Sequence, residues 1–539
     1  MKKLFLFFTF LTGVAGLKAQ SVEQGKQQLY YERYRSAETT FQQVLKQNPS
    51  EAEAWYGLAK TLLLQKQAGK AMDALSQAPA GVKGEPFYQV AYGAVLLQQG
   101  KNAEAGTYFS EALKETKAKK PEILSAVAEA HILAPTGDGN YAVELLNKAI
   151  KKDKHNAALY VELGDAYRTL HNGSEAYKAY QKAVEEDDKY AAAYHQIGDI
   201  FLSQKNVDVY TEYYNKALAA DPNYAPSIYR LYAHEFYRNP SKALSYYQDY
   251  ISKSDSTNKA QYELADLYYI NKQYQEAIQK ARAIQATEGD SAQPRLYKLI
   301  AYSYAAQKDT TTALVSMQRY FDKGTDSTII GRDYLTMGDL LSATQGQDSL
   351  ATVYYEKGAE LEKDSAVLYG YFKKLADYAA AKKDFSAQAK WMGRYYAGNE
   401  KANNLDLFNW GLAHIRAEEY AAADSVFTLY VTKYPEQSYG YYWQAKSKAL
   451  LDNGMKGGLA IPAYQKLIEV LEKNTADPNY KKWIVEAYGY LAAYETNTEK
   501  DYPEAVRYFE KVLEVDPENA DAQKYLSLLE KSLADKEGK

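Results

Sequence analysis

At 539 residues the chain is too long for one compact core and long enough for several domains or one long repeat array. Hydrophobic residues at 46% and charged residues at 25% exclude a disordered chain, and a formal net charge of −4 with alternating signs excludes the basic stripe of a nucleic-acid binder. The absence of cysteine excludes disulfides, thiolate metal sites and a cysteine nucleophile, while 54 tyrosines against 15 phenylalanines leave many ring hydroxyls in need of water or a partner.

The first predicted element is a targeting segment. Lys2 and Lys3 precede an apolar stretch from Leu4 to Leu17, and Leu17-Lys18-Ala19 offers a small residue for cleavage before Gln20. The stretch is about 14 residues, short of the roughly 20 needed to span a bilayer. Residues 1–19 are therefore expected to be a cleaved signal peptide, leaving no integral membrane segment in the mature chain. Its three lysines leave with it, taking the net charge from −4 to −7. With no cysteine for lipid attachment, the mature protein is expected in the periplasm or secreted.

From Ser21 onward the sequence repeats. Gly25, Ala59 and Gly93 are 34 residues apart, as are Gly164 and Gly198. Small residues continue at Ala265, Ala301, Gly338, Ala376 and Gly411 with less regular spacing. Each keeps similar company. Tyr160, Leu163, Gly164 and Tyr167 lie at steps of three and four, which makes an apolar stripe on one helix. Ala176, Tyr180 and Ala183 form the stripe of a second helix after the turn His171-Asn172-Gly173. Gly198 leads in the same way to Tyr210, Tyr214, Ala217 and Pro222, and Gly411 to Ala423, Phe427, Tyr430 and Pro435. The small residue lets two helix axes approach, the ring fills the space beside it, and proline ends the second helix.

These residues resemble the tetratricopeptide repeat (TPR), whose pattern is W-x2-L-G-x2-Y, then A-x3-F, then P. The resemblance implies an all-α fold of helix-turn-helix repeats stacked as a right-handed superhelical solenoid. About fourteen pairs are expected over residues 20–518, followed by a capping helix and tail over 519–539. Ala397–Asn404 is the expected hinge. Asp255-Ser256-Thr257, Asp326-Ser327-Thr328 and Asp364-Ser365 fall at or before first helices, where they are expected to cap exposed backbone N–H groups.

Motifs for chemistry are missing. No two of the six histidines are spaced as a helical metal pair, and His234-Glu235 lacks a second ligand because residue 238 is arginine. No phosphate-binding glycine loop or nucleophile elbow is present. No cofactor and no enzymatic activity are expected. One constellation points instead to binding. Aspartate follows the small residue at Asp165, Asp199, Asp266, Asp339 and Asp377, and Arg168, Tyr262, Tyr269, Lys298 and Tyr302 lie on the same or neighbouring first helices. In a TPR superhelix first helices line the inner groove, so the resemblance implies an acidic, phenol-rich surface for a basic peptide or envelope protein. The rival reading of these aspartates is a role internal to the repeat. The function expected is a non-enzymatic scaffold for protein–protein interaction in the bacterial envelope, with peptidoglycan or glycan binding by tyrosine and aspartate as the alternative.

Overall fold

The computed structural model describes residues 21–325 and 327–537. The expected signal peptide lies outside them, as does Asp326. Among the described residues there are helices and no strands, arranged as fourteen helix-turn-helix pairs and a final helix.

The chain divides into two compact units, at Gly324 and Thr325. The first holds nine pairs: α1 (Val22–Tyr30) with α2 (Tyr34–Gln47), α3 (Ala52–Leu64) with α4 (Ala68–Ser76), α5 (Pro86–Gln98) with α6 (Asn102–Glu115), α7 (Pro121–Leu133) with α8 (Gly139–Ile150), α9 (Ala157–Thr169) with α10 (Gly173–Glu186), α11 (Ala191–Ser203) with α12 (Val207–Ala220), α13 (Ala225–Glu235) with α14 (Pro240–Lys253), α15 (Asn258–Ile270) with α16 (Tyr274–Glu288), and α17 (Arg295–Ala306) with α18 (Thr310–Lys323). The second holds five: α19 (Gly331–Ser342) with α20 (Asp348–Leu361), α21 (Ser365–Ala381) with α22 (Phe385–Gly398), α23 (Asn404–Arg416) with α24 (Tyr420–Lys433), α25 (Ser438–Leu451) with α26 (Ile461–Lys473), and α27 (Tyr480–Tyr494) with α28 (Tyr502–Val515), then α29 (Ala520–Glu537). Ala397–Asn404 joins α22 to α23 inside the second unit; the division of the chain lies elsewhere, at Gly324. No described helix is long and apolar enough to cross a membrane.

One local device builds most turns within a pair. The first helix ends on a residue in the left-handed region, and the residue after it returns its N–H to a carbonyl five positions back. Lys66, Gly100, His171 and Lys205 hold this conformation, with φ of 60°, 77°, 56° and 57°. The closing bonds run from Gln67, Lys101, Asn172 and Asn206 to the carbonyls of Leu62, Leu96, Tyr167 and Phe201. The returning residue also starts the second helix. Where it is Asn or Asp, its side chain caps that helix, as Asn172 does for Glu175 and Asp309 for Thr312.

The core is a ladder of rings seated on glycines. Tyr180, Tyr214, Phe41 and Phe427 are fully buried, each against the glycine of its own first helix. Phe41 also lies against Gly57 of the following pair, so one ring ties two repeats together. Burial of such a ring stabilises by roughly 1.5–3 kcal/mol. The insertion at Glu495–Asp501 continues α27 by one π-helical turn, Glu495–Glu499, before Lys500 reverses the chain with φ of 62°.

The expected caps divide. Thr257 caps α15 by accepting the Ala260 N–H, and Asp364 caps α21 by accepting those of Ala366 and Val367. Asp255 turns away from α15 and caps α2 instead. The α1–α2 turn packs against the starts of α11, α13 and α15, so the first unit closes on itself.

Candidate functional site

Three of the recurring aspartates, Asp165, Asp199 and Asp339, are set by the ring-on-glycine geometry, whereas Asp266 and Asp377 follow alanines. A tyrosine ring lying over the glycine carries its hydroxyl to the next side chain on the first helix. Tyr180 donates to Asp165 at 2.6 Å, Tyr214 to Asp199 at 2.7 Å and Tyr355 to Asp339 at 2.9 Å. Where the ring is phenylalanine, the acid is absent: Gly25-Lys26 faces Phe41, Gly93-Ala94 faces Phe109 and Gly411-Leu412 faces Phe427. The acid satisfies a buried phenol, as a buried hydroxyl requires. This pairing of ring type with acid was visible in the sequence as a correlation between two positions of the repeat.

The aspartates differ in what else reaches them. Asp199 takes both arms of Arg230, at 2.9 and 2.8 Å. Burial works against its charge, but His195, Arg230 and Tyr214 together hold its carboxyl below the usual range. Asp165 lacks such a clamp, and burial pushes its carboxyl up to about 6. Asp266 pairs with Arg295 at 2.9 Å, and Asp339 with Lys374 at 2.7 Å. Asp377 is exposed and borders an open pocket of about 830 Å³ in the second unit, with Tyr369, Lys373 and Tyr395.

The remaining candidate residues spread along the first unit. Arg168 is exposed and donates to Gln196 at 2.8 Å. Tyr262 is buried and bridges the α16–α17 connection, donating to Glu288 at 2.5 Å and accepting the Gln293 N–H at 3.0 Å. Tyr269 meets the rings of Tyr274 and Tyr302, and the Lys298 ammonium lies over Tyr302. Asp165 and Asp199 therefore serve bonds inside the repeat stack; Asp266 lies partly exposed beside Arg295, Arg168 is exposed, and Tyr269, Lys298 and Tyr302 are half-buried.

Closure of the first unit creates a site that sequence reading missed. A cavity of about 490 Å³ lies among α1, α3, α7 and α9, walled by Tyr56, Phe41 and Phe87 and lined by Glu53, Glu122, Glu129, Asp153 and Glu162 against two lysines. Lys60 meets Glu129 at 2.5 Å, and Lys26 is bound to Glu53 and Glu23. Tyr56 donates to Glu129 at 2.7 Å and Ser125 to Glu162 at 2.5 Å. Burial, followed by the neighbouring Glu129, pushes the Glu162 carboxyl up to about 7. The carboxylates outnumber the lysines, so the wall carries a surplus of acidic groups. Nothing in the sequence spacing marks this set, because its members come from different repeats.

The histidines are structural in their surroundings. His195 is buried, its Nδ1 at 2.9 Å from the Ser227 hydroxyl, and burial pulls it down to about 4. His234 pairs with Tyr210 and His414 with Glu419. Among the described residues no group of three or more His, Asp or Glu is placed to hold a metal ion.

The tetratricopeptide repeat profile matches residues 22–86, 161–225 and 238–294, all in the first unit. No curated protein matches the chain. Among solved structures, the C-terminal part of a TPR repeat-containing protein from Cytophaga hutchinsonii is 27% identical, over 49% of this chain and 98% of that one, with a TM-score of 0.29. A tetratricopeptide repeat protein from Parabacteroides merdae is 18% identical, over 46% of this chain and 95% of that one, with a TM-score of 0.27. Human IFIT1, as a dimer with PPP-AAAA, is 18% identical over 56% of this chain and 71% of that one, with a TM-score of 0.33. The profile matches, the repeated ring-on-glycine pairs and the absence of strands among the described residues identify the chain as a tetratricopeptide-repeat protein, an all-α solenoid of the protein-interaction class.

Proposed function

We propose that the protein is a non-enzymatic scaffold of the bacterial envelope that takes a basic segment of a partner protein into the carboxylate-lined cavity of its first unit. One observation carries this reading: Glu53, Glu122, Glu129 and Glu162 surround a space of about 490 Å³ in which two lysines leave the acidic charge uncompensated. Glu162 is held near neutrality by burial and Glu129, and an incoming ammonium or guanidinium relieves that cost. The N-terminal segment with Lys2, Lys3 and the apolar run from Leu4 supports export to the periplasm or beyond.

The test is capture of partners from envelope extract by the tagged mature protein, compared with a Glu129→Gln/Glu162→Gln double variant. The reading expects one or a few stoichiometric partners with a basic segment, and their loss in the double variant at unchanged helicity. Equal capture by both proteins removes the cavity from partner recognition.

A second reading has one observation in its favour. An open groove of about 670 Å³ on the first unit is flanked by the rings of Tyr194 and Tyr213 with Gln181, Glu185 and Asp188, a set suited to a sugar face and its hydroxyls. Co-sedimentation with purified cell wall, lost on Tyr194→Ala/Tyr213→Ala, would favour it.

A further inference from the structure

The acidic cavity of the first unit has a border of the opposite sign. Among its lining residues, Pro121 and Glu122 open α7, while Asp153 and Asn156 lie in the connection leading into α9, which packs against α7. Lys120 immediately precedes Pro121, with Lys119 and Lys117 before it; Lys152 and Lys154 flank Asp153, with Lys151 before them. All six lysines are exposed. Two helices, α7 and α8, separate the two runs in sequence, and the packing of α7 on α9 sets them on one border.

These lysines have no counterion of their own. Nearby Lys148 and His155 pair with Glu144 and Glu186 at 2.6 and 2.8 Å, but among the described residues none of the six makes an ion pair. Asp153, the one acid inside either connection, accepts from the Asn156 side-chain amide at 2.9 Å, and Glu115 and Glu122 stand exposed at the ends of the first run. The first connection is also bent at a cost. Lys117 and Ala118 are consecutive left-handed residues, with φ of 53° and 47°, and neither is glycine. Ala118 packs against the core, while Lys117, Lys119 and Lys120 are left in solvent. Six like charges on two adjoining connections repel one another, and anionic groups laid over them relieve that repulsion.

We propose that the partner segment taken into the cavity carries acidic residues beside its basic one. The cation enters among Glu53, Glu129 and Glu162, and the flanking carboxylates lie along the border lysines. The proposal rests on the cavity reading and narrows its basic segment to a lysine or arginine with acidic neighbours. A run of basic residues would suit the cavity and be repelled at its border, which gives the selection its sign.

The probes are two capped peptides with a neutral dye, Glu-Glu-Gly-Lys-Gly-Glu-Glu and its counterpart with glutamine for every glutamate, titrated against the full-length protein and read by anisotropy. Exposed ion pairs are individually weak, so the glutamates are expected to tighten binding about tenfold at low salt, with the difference shrinking as salt is raised. Lys119→Gln/Lys120→Gln/Lys152→Gln/Lys154→Gln is expected to erase that difference and leave the glutamine probe unchanged, with helicity by circular dichroism retained. Glu129→Gln/Glu162→Gln is expected to weaken both probes. Equal affinity of the unaltered protein for the two probes, or a preference that survives loss of the four lysines, overturns the proposal. The cavity reading then stands if the glutamine probe still depends on Glu129 and Glu162. Failure of both probes to bind overturns both readings. Sedimentation with phosphatidylglycerol vesicles that depends on the four lysines, without preference between the peptides, assigns the border to a lipid surface and also overturns the proposal.

Discussion

The carboxylate of Asp255 caps α2, accepting the Arg35 N–H at 2.6 Å across 220 residues of sequence. The helix needs it, because Arg33 stands at its N-cap and provides no side-chain acceptor. Asp255→Ala is expected to cost about 1 kcal/mol, in line with cap removal elsewhere. Because a repeat array need not unfold in one step, the sharper readout is local. Amide exchange at Arg35 and Ser36 should accelerate, while exchange in the second unit stays unchanged.

Gly198 cannot carry a side chain without moving Tyr214, since a Cβ there would stand 2.6 Å from the ring. Gly198→Leu should destabilise by roughly 1–3 kcal/mol or more through overpacking. Gly173, where a Cβ would meet no atom within 4 Å, serves as the control, and Gly173→Ala should leave the melting curve in place or raise it slightly, never lower it.

Lys205 holds a left-handed backbone with φ of 57°, a conformation costing an L-residue about 1–2 kcal/mol. Glycine removes that cost but loses more freedom on folding. Lys205→Gly should therefore stabilise by a net of about 0.5–1 kcal/mol in denaturant unfolding. Gly100→Ala, at φ of 77°, should shift stability the other way.

His195 lies buried beside Ser227 and is pulled down to about 4, first by burial and only partly offset by Asp199. The unfolded chain binds this proton more readily between about pH 4 and 6.5. The stability from keeping the ring neutral is thus complete above pH 6.5 and lost as pH falls toward 4, by about 3 kcal/mol in total. His195→Gln should flatten that limb of a stability–pH curve.

Glu162 has the opposite sign. Its carboxyl is raised to about 7 by burial and Glu129, so its ionised form opposes folding above that pH and ceases to do so below about 4.5. Glu162→Gln should raise stability at pH 8, with the gain vanishing as pH falls from 7 to 4.5. The same change is expected to weaken partner capture, which separates a binding role from a packing one.

The sequence carried the repeat with little ambiguity where the signal was local. Gly164, Gly198 and Tyr180, Tyr214 sit where their spacing put them, because a helix stripe and its facing ring are fixed within one pair. The aspartate after the glycine was equally visible, but its direction was not. Whether Asp165 faces a groove or a phenol depends on how far Tyr180 reaches across the glycine, and a one-dimensional pattern does not measure that. Asp255 was read as a cap for the helix that follows it; it caps a helix, but a distant one.

The sequence by itself determined that this is an all-helical repeat chain and which rings fill the core of its regular repeats. Those features arise from contacts within about 34 residues, and each repeat restates them. The tertiary structure alone decided that the first unit closes, that Asp255 meets Arg35, and that Glu129 and Glu162 share a cavity with Lys60. Each depends on small rotations between successive pairs adding up over several repeats. No single repeat encodes that sum, so it could be seen only once the chain had folded.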